Sequence, residues 1–201
     1  AVISSLVLAP AEGQVWSNKV GLGKADLYLV LDLIGGVAPQ NLDRCDPLRS
    51  VAVVNTTVLP TGEMIRDPFV TVSPEVLEHT IAQYTRASEN VYVEGRRVVE
   101  ALFGDYMMTN LFMLGVAYQA GRIPLRAESI EWAIRLNGVQ VEENLQAFRY
   151  GRLLVHAPER VRSLVEPPSL SDEEERIRWE RRLGWAGRRA YRALLERCRD
   201  L

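Results

Sequence analysis

Cysteine and histidine, which metal centres use most, are scarce in this chain of 201 residues. Cysteine occurs only at Cys45 and Cys198, and histidine only at His79 and His156. Iron–sulfur clusters and structural zinc sites need about four closely spaced ligands, mostly cysteine. We therefore predict no metal site in this chain. A disulfide framework is not indicated either, and this favours a cytoplasmic protein.

The chain also has no excess of positive charge and no long apolar run. Lysine occurs only at Lys19 and Lys24, and the net charge of −2 gives no sign of a nucleic-acid partner. No apolar stretch reaches the roughly 20 residues of a membrane span. The start lacks the basic region of a signal peptide. It lies almost inside the apolar run from Val2 to Leu8, so we expect that a preceding stretch is absent from this sequence.

Three apolar runs in the first third of the chain predict strands. They are Ile3–Ala9, Asp26–Asp32 and Ser50–Asn55, and Asn90–Val93 follows as a shorter candidate. Apolar runs of this length, with little alternation, are typical of strands buried on both faces of a parallel sheet. The predicted fold is therefore α/β, a doubly wound and mostly parallel sheet with flanking helices.

Helical patterns separate and follow these strands. They cover Val37–Arg44, Ser73–Thr85, Arg96–Phe103, Asp105–Ala120, Glu128–Leu136 and Val141–Val155. Ser73 before Pro74 is a typical helix start, and Gly138 after Asn137 a typical stop. The pattern over Asp105–Ala120 is apolar nearly all round, which predicts a central, buried helix packed on the sheet.

The C-terminal part predicts a separate module. We assign residues 1–160 to the α/β domain and 161–170 to a linker, with prolines at 167 and 168. Ser171 and Glu174 then form a capping box, and Trp179 and Leu183 begin an apolar stripe at helical spacing. We therefore expect residues 171–201 to be a helical tail that starts a further domain.

Two short motifs resemble cofactor loops but fit them poorly. Gly21, Gly23 and Lys24 precede a predicted strand, whereas phosphate-binding loops follow one. We therefore predict a tight turn there. Gly104 and Asp105 resemble part of a thiamine diphosphate motif, but its second glycine is replaced by Tyr106 and Asn110 follows too soon. A helix cap by Asp105 is the better interpretation. We identify no catalytic residue.

The polar end of the strand Ser50–Asn55 is the one candidate binding site. Asn55 and Thr56 close an apolar run, and ligands of open α/β sheets lie at the carboxyl ends of the strands. The two side chains are therefore predicted to contact a cofactor, coenzyme A for example, or a partner domain. An ordinary strand-to-turn cap remains the alternative.

Several stretches together resemble a known family. Gly23–Asp32 (GKADLYLVLD), Ser50–Pro60 (SVAVVNTTVLP) and Val2–Ser5 (VISS) resemble the gamma domain of 2-oxoacid:ferredoxin oxidoreductases. That family's glycine-rich first loop is absent here. The single-chain indolepyruvate enzymes are resembled by four later stretches: Leu102–Asp105 (LFGD), Asn110–Pro124 (NLFMLGVAYQAGRIP), Ile130–Gly138 (IEWAIRLNG) and Asn144–Arg152 (NLQAFRYGR).

The resemblance implies a Rossmann-like accessory domain and not a complete enzyme. The parent enzyme would catalyse the oxidative decarboxylation of an arylpyruvate to an acyl-coenzyme A, with electrons passing to ferredoxin. Thiamine diphosphate, magnesium and iron–sulfur clusters are expected in partner domains or subunits, and no cofactor is assigned to this chain. None of the family's catalytic residues maps onto it.

Three other functions remain open. The chain could be the gamma domain of a pyruvate or 2-oxoglutarate enzyme, although the stretches after Leu102 favour the aryl type. It could be a non-catalytic assembly scaffold. It could also be an independent nucleotide-binding module, which the missing glycine-rich loop disfavours.

Overall fold

The computed structural model describes residues 2–9, 11, 17–58, 62, 66, 72–166, 177, 184, 187 and 191. Contacts divide the chain into two units, Ala1–Val165 and Glu166–Leu201. All strands and helices with bounds given below belong to the first unit. Among the described residues, no helix is both long and apolar enough to span a membrane.

A parallel sheet forms the centre of the first unit. Among the described residues it has three strands, in the order β1 (Leu27–Val30), β2 (Val51–Asn55), β3 (Val91–Val93). Leu27 of β1 is paired with Val51, and Val53 of β2 with Val91. Every residue of β2 is buried because it is the central strand with a layer on each face. The predicted α/β fold with parallel strands is confirmed.

Helices and short turns connect and follow the strands. Those whose bounds the structure describes are α1 (Leu33–Gly36), α2 (Pro39–Leu42), α3 (Pro74–Gln83), a 3-10 turn (Ala87–Glu89), α4 (Gly95–Phe103), α5 (Thr109–Gln119), α6 (Ala127–Asn137), α7 (Val141–His156) and α8 (Pro158–Val165). Gly138 ends α6 with a φ of 73°, the left-handed conformation predicted for that glycine.

Alternate residues of β2 face opposite layers, as the twofold period of a strand requires. Val53 packs with Phe112, Met113 and Val116 of α5 on one face. Ala52 and Val54 pack on the other face, in a cluster that contains Leu33, Leu42, Leu77 and Ile81 of α1, α2 and α3. Helices therefore cover both faces of the sheet, and α5 is the buried helix that its apolarity predicted.

Two glycines allow α5 and α7 to cross in close contact. A Cβ atom on Gly115 would lie 2.1 Å from the backbone oxygen of Phe148, and one on Gly151 would lie 2.0 Å from that of Phe112. Each helix thus presents a glycine to the other's backbone. We call this contact the α5–α7 crossing. No larger residue fits at either position without moving the helices apart.

The strand predicted at Ile3–Ala9 is absent. Residues 2–9 have no regular secondary structure, and Val2, Ile3 and Leu6 are exposed. A strand is stabilised by hydrogen bonds to a neighbouring strand, and none of the described residues pairs with this segment in the sheet. The apolar composition of this segment was therefore not sufficient to predict a strand.

The predicted helix cap at Asp105 is also wrong. α5 begins at Thr109, and Asp105 Oδ1 instead accepts a hydrogen bond from the Met107 N–H at 3.1 Å. Asp105 therefore stabilises the turn between α4 and α5. The predicted helix at Val37–Arg44 is only partly formed: α1 ends before it at Gly36, and α2 covers four of its residues.

The glycine pair at Gly21–Lys24 forms the tight turn predicted for it. The Lys24 N–H donates to the Gly21 carbonyl at 3.3 Å, and Gly23 has a φ of 63°. The first half of the segment assigned to the linker, residues 161–165, lies in α8, where Val161 is buried. Residues 167–170 and most of the tail lie outside the described residues, so the division into domains stays a prediction.

Candidate functional site at the carboxyl edge of the sheet

The carboxyl ends of the three parallel strands lie along one edge of the sheet. β2 ends at Asn55 and continues into Thr56 and Thr57, while β3 ends at Val93 and leads through Glu94 into α4. Ligands of open α/β sheets bind outside this edge, where the chain leaves the strands. Any small-molecule or partner site of the unit is therefore expected here first.

Asn55 holds three elements together beneath this edge. Its side-chain Nδ2 donates to the Leu31 carbonyl at 3.1 Å, just beyond β1, and its Oδ1 accepts from the Gly95 N–H at 3.0 Å, the start of α4. The residue is only 4% exposed. A Cβ on Gly95 would lie 2.8 Å from Met113 Sδ and 3.3 Å from Asn55 Oδ1, so a larger residue there would require these side chains to shift.

Thr56 lies one residue further along and lines an open groove. Its backbone N–H donates to the Val93 carbonyl at 2.9 Å, which extends the pairing of β2 and β3 by one step. The groove has a volume of about 460 Å³. It is lined by Thr56, Thr57, Val58, Pro74, Glu94, Arg96, Arg97 and Glu100. We call it the carboxyl-edge groove.

Paired charges line the α4 side of the carboxyl-edge groove. Arg97 Nη1 lies 3.1 Å from Glu94 Oε2, and Arg96 Nε lies 2.8 Å from Glu100 Oε1. The Arg96 guanidinium also lies over the Tyr106 ring, 4.3 Å from its centre. The groove wall therefore carries two positive and two negative groups, a pattern that suits a polar partner surface as well as a ligand with both charged and apolar parts.

Sequence reasoning predicted the edge but not the α4 wall. Of the two predicted site residues, Thr56 lines the groove, while Asn55 lies beneath it with its amide bonded inside the fold. The missed residues, Arg96, Arg97 and Glu100, lie on the first turns of a helix that follows a strand directly. The sequence feature that could have identified them is the i to i+4 spacing of Arg96 and Glu100, which predicts an ion pair on a helix soon after the apolar run at Val91–Val93.

Among the described residues, no group of side chains is suited to hold a metal ion or an iron–sulfur cluster. No three histidine, cysteine, aspartate or glutamate side chains among them lie close enough together to hold a metal ion. Cys45 is buried, and burial raises the pKa of its thiol, which disfavours the thiolate that a cluster would need. Asp105, in the partial thiamine diphosphate motif, accepts a hydrogen bond from the Met107 N–H in the turn before α5.

Comparison with known protein families identifies the chain. Residues 4–154 match the model of the pyruvate ferredoxin/flavodoxin oxidoreductase family. The chain belongs to this family. The match includes the sheet, the carboxyl-edge groove and all but the end of the α5–α7 helix pair, so this α/β unit is an accessory domain of a 2-oxoacid:ferredoxin oxidoreductase. No curated protein and no solved structure gives a significant match.

Proposed function

We propose that this oxidoreductase domain serves an enzyme of the indolepyruvate type. The assembly would convert an arylpyruvate, coenzyme A and oxidised ferredoxin into an acyl-coenzyme A, carbon dioxide and reduced ferredoxin. The aryl type is supported by the later stretches that resemble indolepyruvate enzymes, which meet at the α5–α7 crossing. Two of the stretches that resemble indolepyruvate enzymes, Asn110–Pro124 and Asn144–Arg152, supply its two glycines and pack directly on each other.

The proposed role of this chain is to shape and support a site that other parts provide. We propose that thiamine diphosphate, magnesium and the iron–sulfur clusters are held by partner domains or subunits, and that the assembly is cytoplasmic. Within this chain the carboxyl-edge groove is the proposed contact with coenzyme A or with a partner domain. Thr56 would make that contact, and Asn55 would position Thr56 and the start of α4.

The substrate class is tested on the complete assembly that contains this chain. Methyl viologen reduction is measured with coenzyme A and either indolepyruvate or pyruvate. We expect kcat/KM for indolepyruvate to exceed that for pyruvate by tenfold or more, and the isolated chain to show no turnover. A preference for pyruvate or 2-oxoglutarate would contradict the aryl type and leave the family assignment intact. Turnover by the chain alone would contradict an accessory role.

The groove is tested by Thr56→Val in the same assembly. Valine keeps the shape of threonine and replaces its hydroxyl with a methyl group, so stability should change by less than about 1 kcal/mol. We expect a several-fold loss of kcat/KM, and a rise in KM for coenzyme A alone would identify that ligand. The matched control is Thr80→Val on α3, whose hydroxyl bonds the Val76 carbonyl in its own helix. Unchanged turnover in Thr56→Val would favour a scaffold.

A further inference from the structure

Helix α6 has two apolar faces, and only one of them is used inside the first unit. Ile130 and Ile134 are buried against Leu145 and Phe148 of α7. Trp132 and Leu136, on the opposite side of the helix, are 63% and 70% exposed. A large aromatic and a leucine one helical turn apart form a stripe of the kind that packs on another helix. We call this stripe the outer face of α6.

Of the two borders that flank the outer face of α6, only one carries charged residues. With 3.6 residues per turn, Glu128 and Arg135 project along the same border, about two turns and roughly 10 Å apart. The other border has the small residues Ser129 and Ala133. A negative group thus lies toward one end of the charged border and a positive group toward the other.

We infer that the outer face of α6 pairs with the same face of a second copy of this chain, with the two helices antiparallel. A twofold axis near Trp132 brings Glu128 of each copy beside Arg135 of the other and stacks the two Trp132 rings at the centre. Such a contact is self-complementary, as twofold symmetry requires. A parallel twofold arrangement would instead place the charged border of each copy beside the uncharged border of the other and leave Glu128 and Arg135 without partners across the contact.

Arg135 is available for this contact. Its Nη2 lies 3.3 Å from Glu131 Oε2, which is a long ion pair, and its side chain is about half exposed. Glu131 is also bound by Arg149 through two shorter contacts, of 2.9 Å and 2.7 Å. Arg135 can therefore turn toward a second copy while Glu131 keeps a partner. This inference goes beyond the proposed function and does not depend on the substrate.

The test measures self-association of the full 201-residue chain by sedimentation equilibrium over a series of concentrations. We expect a monomer–dimer equilibrium. Trp132→Ser should raise the dimer Kd by tenfold or more, as loss of a central aromatic does in interfaces. The control is Leu48→Ser. It removes an exposed apolar side chain that lies outside α6, and it should leave Kd unchanged.

Charge reversal tests the antiparallel arrangement itself. Glu128→Arg and Arg135→Glu should each raise Kd several-fold, and the double variant should restore it, because the pair re-forms with its signs exchanged. The matched control is Glu159→Arg on α8. A chain that stays monomeric, a dimer unaffected by these changes, or an α6 face that binds only another part of the assembly would each overturn the inference.

Discussion

The α5–α7 crossing and the carboxyl-edge groove lie in the same unit but are stabilised in opposite ways. At the crossing, two backbones touch through Gly115 and Gly151, and apolar side chains exclude water around them. At the groove, paired charges and hydroxyls border an open space, and Asn55 lies buried beneath them. A tightly packed region tolerates almost no added volume, whereas an open polar one tolerates change in most of its residues.

The largest expected effect is at the crossing. Gly115→Ala and Gly151→Ala each place a Cβ about 2 Å from a backbone oxygen, so the two helices must separate along their length. We expect a loss of at least about 3 kcal/mol of unfolding free energy for each, measured by urea denaturation. Gly21→Ala is the matched control, since its Cβ would meet only the Lys24 side chain at 3.4 Å. Equal stability of Gly115→Ala and wild type would show that the helices cross more loosely than described.

A smaller effect is expected beneath the groove. Asn55→Ala leaves the buried Gly95 N–H and the Leu31 carbonyl without their side-chain partner. We expect a loss of about 2 kcal/mol, the cost of unsatisfied buried groups. Asn144→Ala removes an exposed amide that bonds the Val139 carbonyl and should cost less than about 1 kcal/mol. If the two variants were equally stable, Asn55 would not be the support of this edge.

The smallest effect is expected at the ion pair between α6 and α7. The hydrogen bond from Arg149 holds the pKa of Glu131 below its ordinary value, and Glu131 is itself mostly buried. Its stabilising contribution is therefore present above the unfolded pKa and is lost as the pH falls through the lower folded pKa. Because half of Arg149 is exposed, we expect Glu131→Gln to cost only about 1 kcal/mol at pH 7.

The stability difference between wild type and Glu131→Gln should disappear on acidification. Urea denaturation of wild type and Glu131→Gln is compared from neutral pH down to a pH below the folded pKa, where protonated Glu131 and glutamine should be equivalent. Glu143→Gln is the matched control, because Glu143 makes no ion pair with the described residues. A stability difference that stayed constant with pH would mean that packing, and not the ion pair, accounts for the effect.

Sequence alone determined the elements whose signal is local. The apolar runs at Asp26–Asp32 and Ser50–Asn55 predicted parallel strands, and the all-round apolarity near Leu111–Val116 predicted a buried helix, because burial on both sides removes alternation and periodicity. Gly138 was predicted as a helix stop because only its own backbone conformation is involved. The strand predicted at Ile3–Ala9 failed because a strand also depends on a neighbour, which no local pattern specifies.

Only the tertiary structure decided how distant residues meet. Sequence placed Asn55 and Thr56 at the end of a strand, but it could not show that the Asn55 amide joins Leu31 to Gly95, 24 and 40 residues away. Nor could it show that Gly115 and Gly151 each fit against the backbone of the opposite helix, or that Arg96 and Arg97 line the same groove as Thr56. These contacts depend on the relative placement of whole helices and strands, which is set by packing of the complete core and not by the residues in contact.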